Sequence, residues 1–303
     1  ILTAFEFAEQ SDDRDETCKW LTFVIIGAGP TGVEMAGAIR EIAAEVMRRD
    51  FDQIDPADTR VVLIDALPHI LAGYPDELSE EAKEELESRD IEVWVDSPVD
   101  DIGRDYVSVG ERTVSAQTIV WAAGVEPSSL LASLDTEVDE AGYVVVDRDL
   151  TLVDSESEFV VGDASHFEHD DLDEPLPALA PVAIQQGKHV AKNIRRRLRQ
   201  EAYEPFEYRD RGQMSTIGRA AAVAEIGPYH GVGFFAWLLW LFVHLFFLIG
   251  FKNRITVLIE WIYSYLVFKR GARIIIGDSG TTPAEETIEA DIGRRAASGS
   301  AAQ

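Results

Sequence analysis

The 303-residue chain is predicted to be an α/β protein with a parallel sheet, and three observations predict it. An apolar, β-branched run, Phe23 to Gly27, stops at Gly27-Ala-Gly29-Pro-Thr-Gly32 and passes directly into helical spacing from Val33 to Arg49. Two more strand patterns follow, Arg60 to Ile64 and Ile91 to Val95, with a Glu-rich helical pattern from Asp76 to Arg89 between them. Strands that alternate with helices in this order pair in parallel, because each crossover returns the chain to the same end of the sheet.

The remaining elements are read in chain order. Tyr106 to Val114 alternates apolar and polar residues, and Thr118 to Ala122 reads as a buried strand running into Ala123-Gly124-Val125. Val144 to Val146 and Phe159 to Val161 read as further strands, and a strongly basic amphipathic helix is expected from Pro181 to Arg199. The tail beyond Gly277, rich in Thr, Ala, Ser and Glu, reads as a disordered linker or terminus. No internal repeat is visible.

Composition narrows the function classes. Apolar residues make up 46% of the chain, enough for one or two cores, so an acidic disordered protein is excluded. The 55 acidic side chains outnumber the 27 basic ones for a net charge of −28, which argues against general nucleic-acid binding. Acidic clusters such as Asp76-Glu77, Glu80-Glu81, Glu84-Glu85 and Asp170 to Glu174 fit adaptation to high salt, where screening relieves self-repulsion; an ordinary acidic surface is the plainer reading. A single cysteine, Cys18, excludes a disulfide framework, a multi-cysteine metal site and an intrachain dithiol. His166 and His169 sit in an acidic loop without a cysteine and are not expected to bind metal, and no Gly-x-Ser-x-Gly elbow is present. The first residue is Ile1, so no leader can be judged from this sequence.

The glycine turn carries the clearest chemistry. Gly27 permits the tight turn, Gly29 lets the backbone approach a pyrophosphate, and Gly32 brings helix against strand, while the helix N-terminus offers N–H groups to the anion. Asp65, at the end of the next strand, would accept a ribose hydroxyl and repel a 2′-phosphate, favouring NADH over NADPH. Gly162-Asp163 closes a short apolar run where a carboxylate can meet ligand hydroxyls; a structural role is equally open there. Pro181 in a first helical turn leaves Ala180 to Ala183 as candidate N–H donors to an anionic ring system. Gln185 and Gln186 follow, with surface glutamines as the plainer reading.

Residues 234–251 form an apolar run broken only by His244, and a second run covers Ile255 to Phe268. Between Gly231 and Ile276 five basic residues face Glu260 alone, a balance of +4 in an acidic chain. Trp261, Tyr263 and Tyr265 beside Lys252, Arg254, Lys269, Arg270 and Arg273 suit a lipid headgroup layer. A monotopic helical patch is expected ahead of a transmembrane hairpin, with a buried dimer interface third.

Together these motifs resemble the type II NADH:quinone oxidoreductases. Phe23 to Glu34 is similar to that family's NADH motif, including the acidic residue after the third glycine; Trp121-Ala-Ala-Gly-Val125 resembles its nicotinamide-side strand end; Val161-Gly-Asp163-Ala resembles its second FAD motif. Ala180 to Gly187 resembles its quinone motif, Ala-Gln-x-Ala-x-Gln, with Pro181 in place of the first glutamine and Gln185 retaining the second. The resemblance implies two Rossmann-like domains, FAD and NADH as cofactors, and a membrane quinone as partner. It implies Glu34 and Gln185 as catalytic residues, and Gly27, Gly29, Gly32, Asp65, Ala123, Gly124, Gly162, Asp163, Ala183 and Gln186 as cofactor-binding ones. The implied division is an FAD-domain remnant at 1–17, an NADH domain at 18–125, the later part of the FAD domain at 126–200, a membrane-association domain at 201–276 and a tail at 277–303. The family's first strand–glycine turn–helix is not in this sequence, so the FAD domain is expected to be incomplete at its N-terminus. The expected location is peripheral, at the cytoplasmic face of the cell membrane, with a homodimer open. A ferredoxin- or rubredoxin-reductase-like flavoprotein and a non-catalytic NADH-binding module are the alternatives.

Overall fold

A computed structural model describes residues 1–46, 51–153, 155, 157–169, 175–247 and 251–267. Helices α1 (Leu2–Gln10) and α2 (Arg14–Trp20) precede strand β1 (Thr22–Ile26), helix α3 (Pro30–Glu41), strand β2 (Arg60–Ile64), helix α4 (Asp76–Glu87) and strand β3 (Ile91–Trp94). Three antiparallel strands, β4 (Asp101–Ile102), β5 (Tyr106–Val109) and β6 (Arg112–Ser115), lead to β7 (Thr118–Trp121). The central sheet has the order β3-β2-β1-β7 with every pair parallel. The expected parallel α/β core is therefore present.

Side-chain alternation along β1 and β2 builds three layers. Phe23, Ile25, Val61 and Leu63 face one side, where Phe5, Val33, Ala36, Ile39, Leu78, Ala82 and Leu86 from α1, α3 and α4 cover them. Val24, Ile26, Val62 and Ile64 face the other, against Val107, Val109 and Val114 of the β4–β6 meander. All eight of these strand residues are buried, which is why β1 and β2 read as continuous apolar runs.

By contacts the chain divides into two units, Ile1–Ala122 with Ser215–Ala224 and Gly231–Gln303, and Ala123–Met214 with Glu225–His230. Residues 1–17 fall with the glycine-turn unit. The reason is packing: Phe5 and Ala8 of α1 are fully buried, and the Phe5 ring lies 5.7 Å from that of Phe23. Helix α2 has no apolar periodicity to announce it and is held by its Asp13 cap, which accepts a 2.9 Å hydrogen bond from the Asp15 N–H.

The second unit pairs β8 (Val144–Val145) in parallel with β9 (Ser165–His166) and packs helix α5 (Ala180–Leu198) over Val144, Leu150, Phe167 and Phe206. The strand expected at Phe159 to Val161 is reduced to one bridge, Phe159 to Thr151, since the chain bends away at Gly162, where φ is +67°. Strands β10 (Gln213–Gly218), β11 (Ala221–Ile226) and β12 (Tyr229–Gly233) form a meander not foreseen from the sequence. Helices α6 (Phe234–Phe247) and α7 (Phe251–Val267) follow. The expected tail at 277–303 and the acidic cluster at 170–174 lie outside the described residues.

Candidate functional site

The glycine turn links β1 to α3 at the carboxyl end of the sheet, next to the point where strand order reverses between β1 and β7. Gly27 has φ +101°, and its N–H donates to the Ile64 carbonyl at 2.7 Å. A Cβ on Gly32 would collide with the Gly27 carbonyl oxygen, so this glycine permits the helix to start against the turn. Gly29 differs: a Cβ there would meet nothing within 4 Å, leaving open space beside the first turn of α3. Asp65 reaches the same turn. Its carboxylate accepts from the Ala28 N–H at 2.5 Å and from the Leu67 N–H at 2.8 Å, which orients both oxygens at the mouth of the turn. Trp121, paired with Ile26 at the end of β7, is 62% exposed and adds an apolar surface at that end of the sheet.

Glu34, one turn into α3, is engaged with β10. Its Oε1 accepts from the Ser215 hydroxyl at 3.2 Å and from the Thr216 N–H at 3.1 Å. Its partners lie some 180 residues away, so no local signal could have named them.

In the second unit, Gly162 and Asp163 form a short 3-10 turn against the start of α5, with Asp163 exposed. Gln186 is 1% exposed, and its Oε1 accepts from the Gly162 N–H at 2.6 Å and the Ser165 hydroxyl at 3.4 Å. The plainer expectation of a surface glutamine is therefore corrected. Gln185 makes a reciprocal pair with the backbone of Arg209, donating from Nε2 to its carbonyl at 3.0 Å and accepting its N–H at 3.1 Å. The expected donors at Ala180 to Ala183 also need correction. The Ala183 N–H already bonds the Leu179 carbonyl at 3.1 Å, and Pro181 has no N–H, so Ala180 and Val182 are the open first-turn donors. The Ala183 methyl instead packs against Gly162. Ala123 and Gly124, the latter at φ +95°, are exposed just past β7.

His166 is occupied by Asp139, with Nδ1 and Oδ2 2.6 Å apart. Burial alone would raise the Asp139 carboxyl, but hydrogen bonds from His166 and the N–H groups of Tyr143 and Ala141 outweigh it and hold the group below the usual carboxylate range. Among the described residues no group of His, Cys, Asp and Glu could hold a metal ion.

Helices α6 and α7 pack together, with Trp240 and Trp261 stacked at 5.8 Å. Phe235, Leu238, Phe242 and Phe246 of α6 are exposed at helical spacing, as are Ile255, Ile259 and Tyr263 of α7. Among the described residues no helix is long and apolar enough to cross a membrane.

Residues 3–187 match the pyridine nucleotide-disulphide oxidoreductase family, and residues 211–270 match the NDH2 C-terminal domain. The chain belongs to the pyridine nucleotide-disulphide oxidoreductase family. Within it, the resemblance read from the motifs is supported. A type II NADH:quinone oxidoreductase of Mycobacterium tuberculosis is 40% identical over 283 residues, which cover 89% of this chain and 60% of the relative. One from Staphylococcus haemolyticus is 33% identical over 232 residues, 75% of this chain and 55% of the relative. The chain thus spans less than two thirds of the length of these relatives. A structure of NDH2 from Plasmodium falciparum in complex with NADH shares the fold at a TM-score of 0.77 and 16% identity, over 88% of this chain and 70% of that one.

Proposed function

We propose that this pyridine nucleotide-disulphide oxidoreductase family member acts in NADH:quinone oxidoreduction, binding NADH at the Gly27 turn and FAD against Gly162-Asp163 and α5. The observation that carries the reading is the Gly27–Gly32 turn with the Asp65 carboxylate fixed at its mouth. Similarity to relatives of that activity supports it.

The residues fit both groups. The open space beside Gly29 would admit a pyrophosphate against the N–H groups of α3, and Asp65, already oriented by Ala28 and Leu67, keeps lone pairs for the ribose hydroxyls. Asp163 would meet the hydroxyls of the FAD chain, and Ala180 and Val182 at the positive end of α5 would favour negative charge on the ring system. Ala123 and Gly124 would border the nicotinamide. FAD, when held by these residues, would supply the redox chemistry, hydride acceptance from NADH and two-electron delivery to a quinone. Glu34, Gln185 and Gln186 would act by positioning, since Glu34 ties α3 to β10, Gln185 ties α5 to Arg209, and Gln186 holds the Gly162 turn.

The exposed α6–α7 face would seat the protein peripherally on the cytoplasmic side of the membrane, where NADH and a lipid quinone meet. A second copy packed on the same face is the competing use. The test is titration of the 303-residue chain with NADH, together with NADH:quinone turnover by the product of the whole gene. Saturable NADH binding and turnover with a quinone are expected. Reduction of ferredoxin or rubredoxin in place of a quinone would favour a soluble reductase, and NADH binding without turnover a non-catalytic module.

A further inference from the structure

The basic side chains of helix α5 lie beyond its first turn and are not among the residues proposed to hold NADH, flavin or quinone. From Ala180 to Arg199 the chain carries Lys188, Lys192, Arg195, Arg196, Arg197 and Arg199 and not one acidic residue, against a two-to-one acidic excess overall. One stripe of the helix, Gln185, Lys188, His189 and Lys192, lines a cavity of about 530 Å³ whose opposite wall is the extended segment from Glu204 to Arg209.

That segment is pinned at both ends. At one end Asn193, fully buried, donates from Nδ2 to the Glu204 carbonyl at 2.9 Å and accepts its N–H through Oδ1 at 3.0 Å. At the other end Gln185 holds Arg209. Between the pins Phe206 is buried and meets His189 edge to face at 5.4 Å, giving the cavity an apolar floor. The cavity is therefore held open by specific bonds rather than by a gap between loose side chains.

Its charges do not cancel internally. Glu204 is taken by Arg196 at 2.7 Å, whereas Lys188, Lys192 and Arg209 make no ion pair among the described residues. Three cations without an ion pair and Glu207, the one acid of the wall without a partner among those residues, therefore line the same cavity at exposed positions. Like charges held together cost energy unless an anion joins them, and the volume suits a small organic ligand. Two ammonium groups and a guanidinium are the donor set for a dianionic phosphate, the arginine offering a two-pronged contact and the lysines point charges. We propose that this cavity is a phosphate-monoester site, with the phosphate among Lys188, Lys192 and Arg209 and the organic part over Pro205 and Phe206. The ester has two sources, a free phosphorylated metabolite or the headgroup of phosphatidic acid, a lipid that carries a phosphate monoester.

The experiment titrates the 303-residue chain with inorganic phosphate and with glycerol phosphate, neither of which carries the adenosine that the Gly27 turn would read, at about 0.1 M salt to limit screening. Backbone NMR shifts locate binding, and flotation with phosphatidic acid or phosphatidylcholine vesicles, of a chain carrying Phe235→Ser and Phe242→Ser so that the α6–α7 face does not contribute, tests the lipid source. Saturable shifts at Arg209 and along 185–192 are expected. Lys188→Gln with Lys192→Gln should weaken binding by about tenfold or more, as loss of charge-assisted bonds does, and Glu207→Gln should strengthen it. Tighter binding of glycerol phosphate than of phosphate assigns a free metabolite. Flotation with phosphatidic acid and not with phosphatidylcholine, lost when Lys188→Gln and Lys192→Gln are added, assigns the headgroup. Phosphate shifts that the lysine double variant leaves unchanged, or no response to either probe or to either vesicle, would overturn the proposal. A circular dichroism melt of each variant separates lost binding from lost fold.

Discussion

Asp65 shows how one side chain can serve the fold and a ligand together. Its two oxygens each take one backbone N–H, from Ala28 and Leu67, so the charge stands at the turn whether or not nucleotide is bound. A fixed carboxylate beside a ribose discriminates by repelling a 2′-phosphate. Asp65→Asn keeps an acceptor oxygen for one N–H and removes the charge. The ratio of NADPH to NADH dissociation constants, measured by titration, should fall by about tenfold, the scale of one close charge pair in a half-exposed site. An unchanged ratio would remove Asp65 from nucleotide selection. The residue was legible because it ends a strand in a recognisable βαβ order. Glu34 was legible as an acid near the turn but not in its task, because Ser215 and Thr216 reach it only through tertiary folding.

At the level of elements, the β1–α3–β2–α4–β3 order was readable because buried strands and an amphipathic helix impose different periods, and β2 has the boundaries its residues suggested. The β10–β12 meander escaped because its strands lack a continuous apolar, β-branched run and hold small or polar residues such as Ala221, Ala222 and Ala224. The Gly162 turn was legible as Gly-Asp, but its clamp, Gln186, was not, since a glutamine in the second turn of a helix looks the same whether buried or exposed. Gln186→Leu fills similar space while leaving the Gly162 N–H without its acceptor. It should destabilise the chain by about 1–3 kcal/mol, read by chemical denaturation; no loss would mean that the turn does not need the clamp. The Asp139–His166 contact ties the 139–143 turn to β9. Because the folded state holds the Asp139 carboxyl low, its contribution is complete above the unfolded pKa near 3.9 and is lost as pH falls through the lower folded value. The melting temperature difference between wild type and Asp139→Asn should accordingly be constant at neutral pH and shrink below about pH 4. A difference that grows with acidity would contradict this assignment.

Charge governs the molecule as a whole. Helix α4 buries Leu78, Ala82 and Leu86 and turns Asp76, Glu77, Glu80, Glu81, Glu84 and Glu87 to solvent, so like charges recur at i, i+4. Raising salt from about 0.1 to 1 M shortens the screening length from about 10 to 3 Å. The melting temperature should therefore rise over that range, and rise less in a variant with Glu77, Glu81 and Glu84 changed to lysine. The same screening tests how the protein meets a membrane. With a net charge of −28 the body of the chain is repelled by anionic lipid, so attachment must come from surface of another kind. The α6–α7 face offers Phe235 and Phe242, 74% and 64% exposed, with Lys252 and Arg254 in the first turn of α7 and Arg254 over the Phe246 ring at 5.4 Å. Burial of aromatic side chains in the acyl boundary does not depend on screening, whereas a contact made by those few cations does. Flotation with vesicles should hence persist at about 1 M salt, where electrostatic contacts are screened within about 3 Å. It should be lost on Phe235→Ser with Phe242→Ser, changes on exposed positions that leave the buried Ala236 and Trp237 in place. Release by salt alone would assign attachment to charge, and flotation unaffected by both substitutions would take the membrane contact away from this face and leave it to a second copy of the chain.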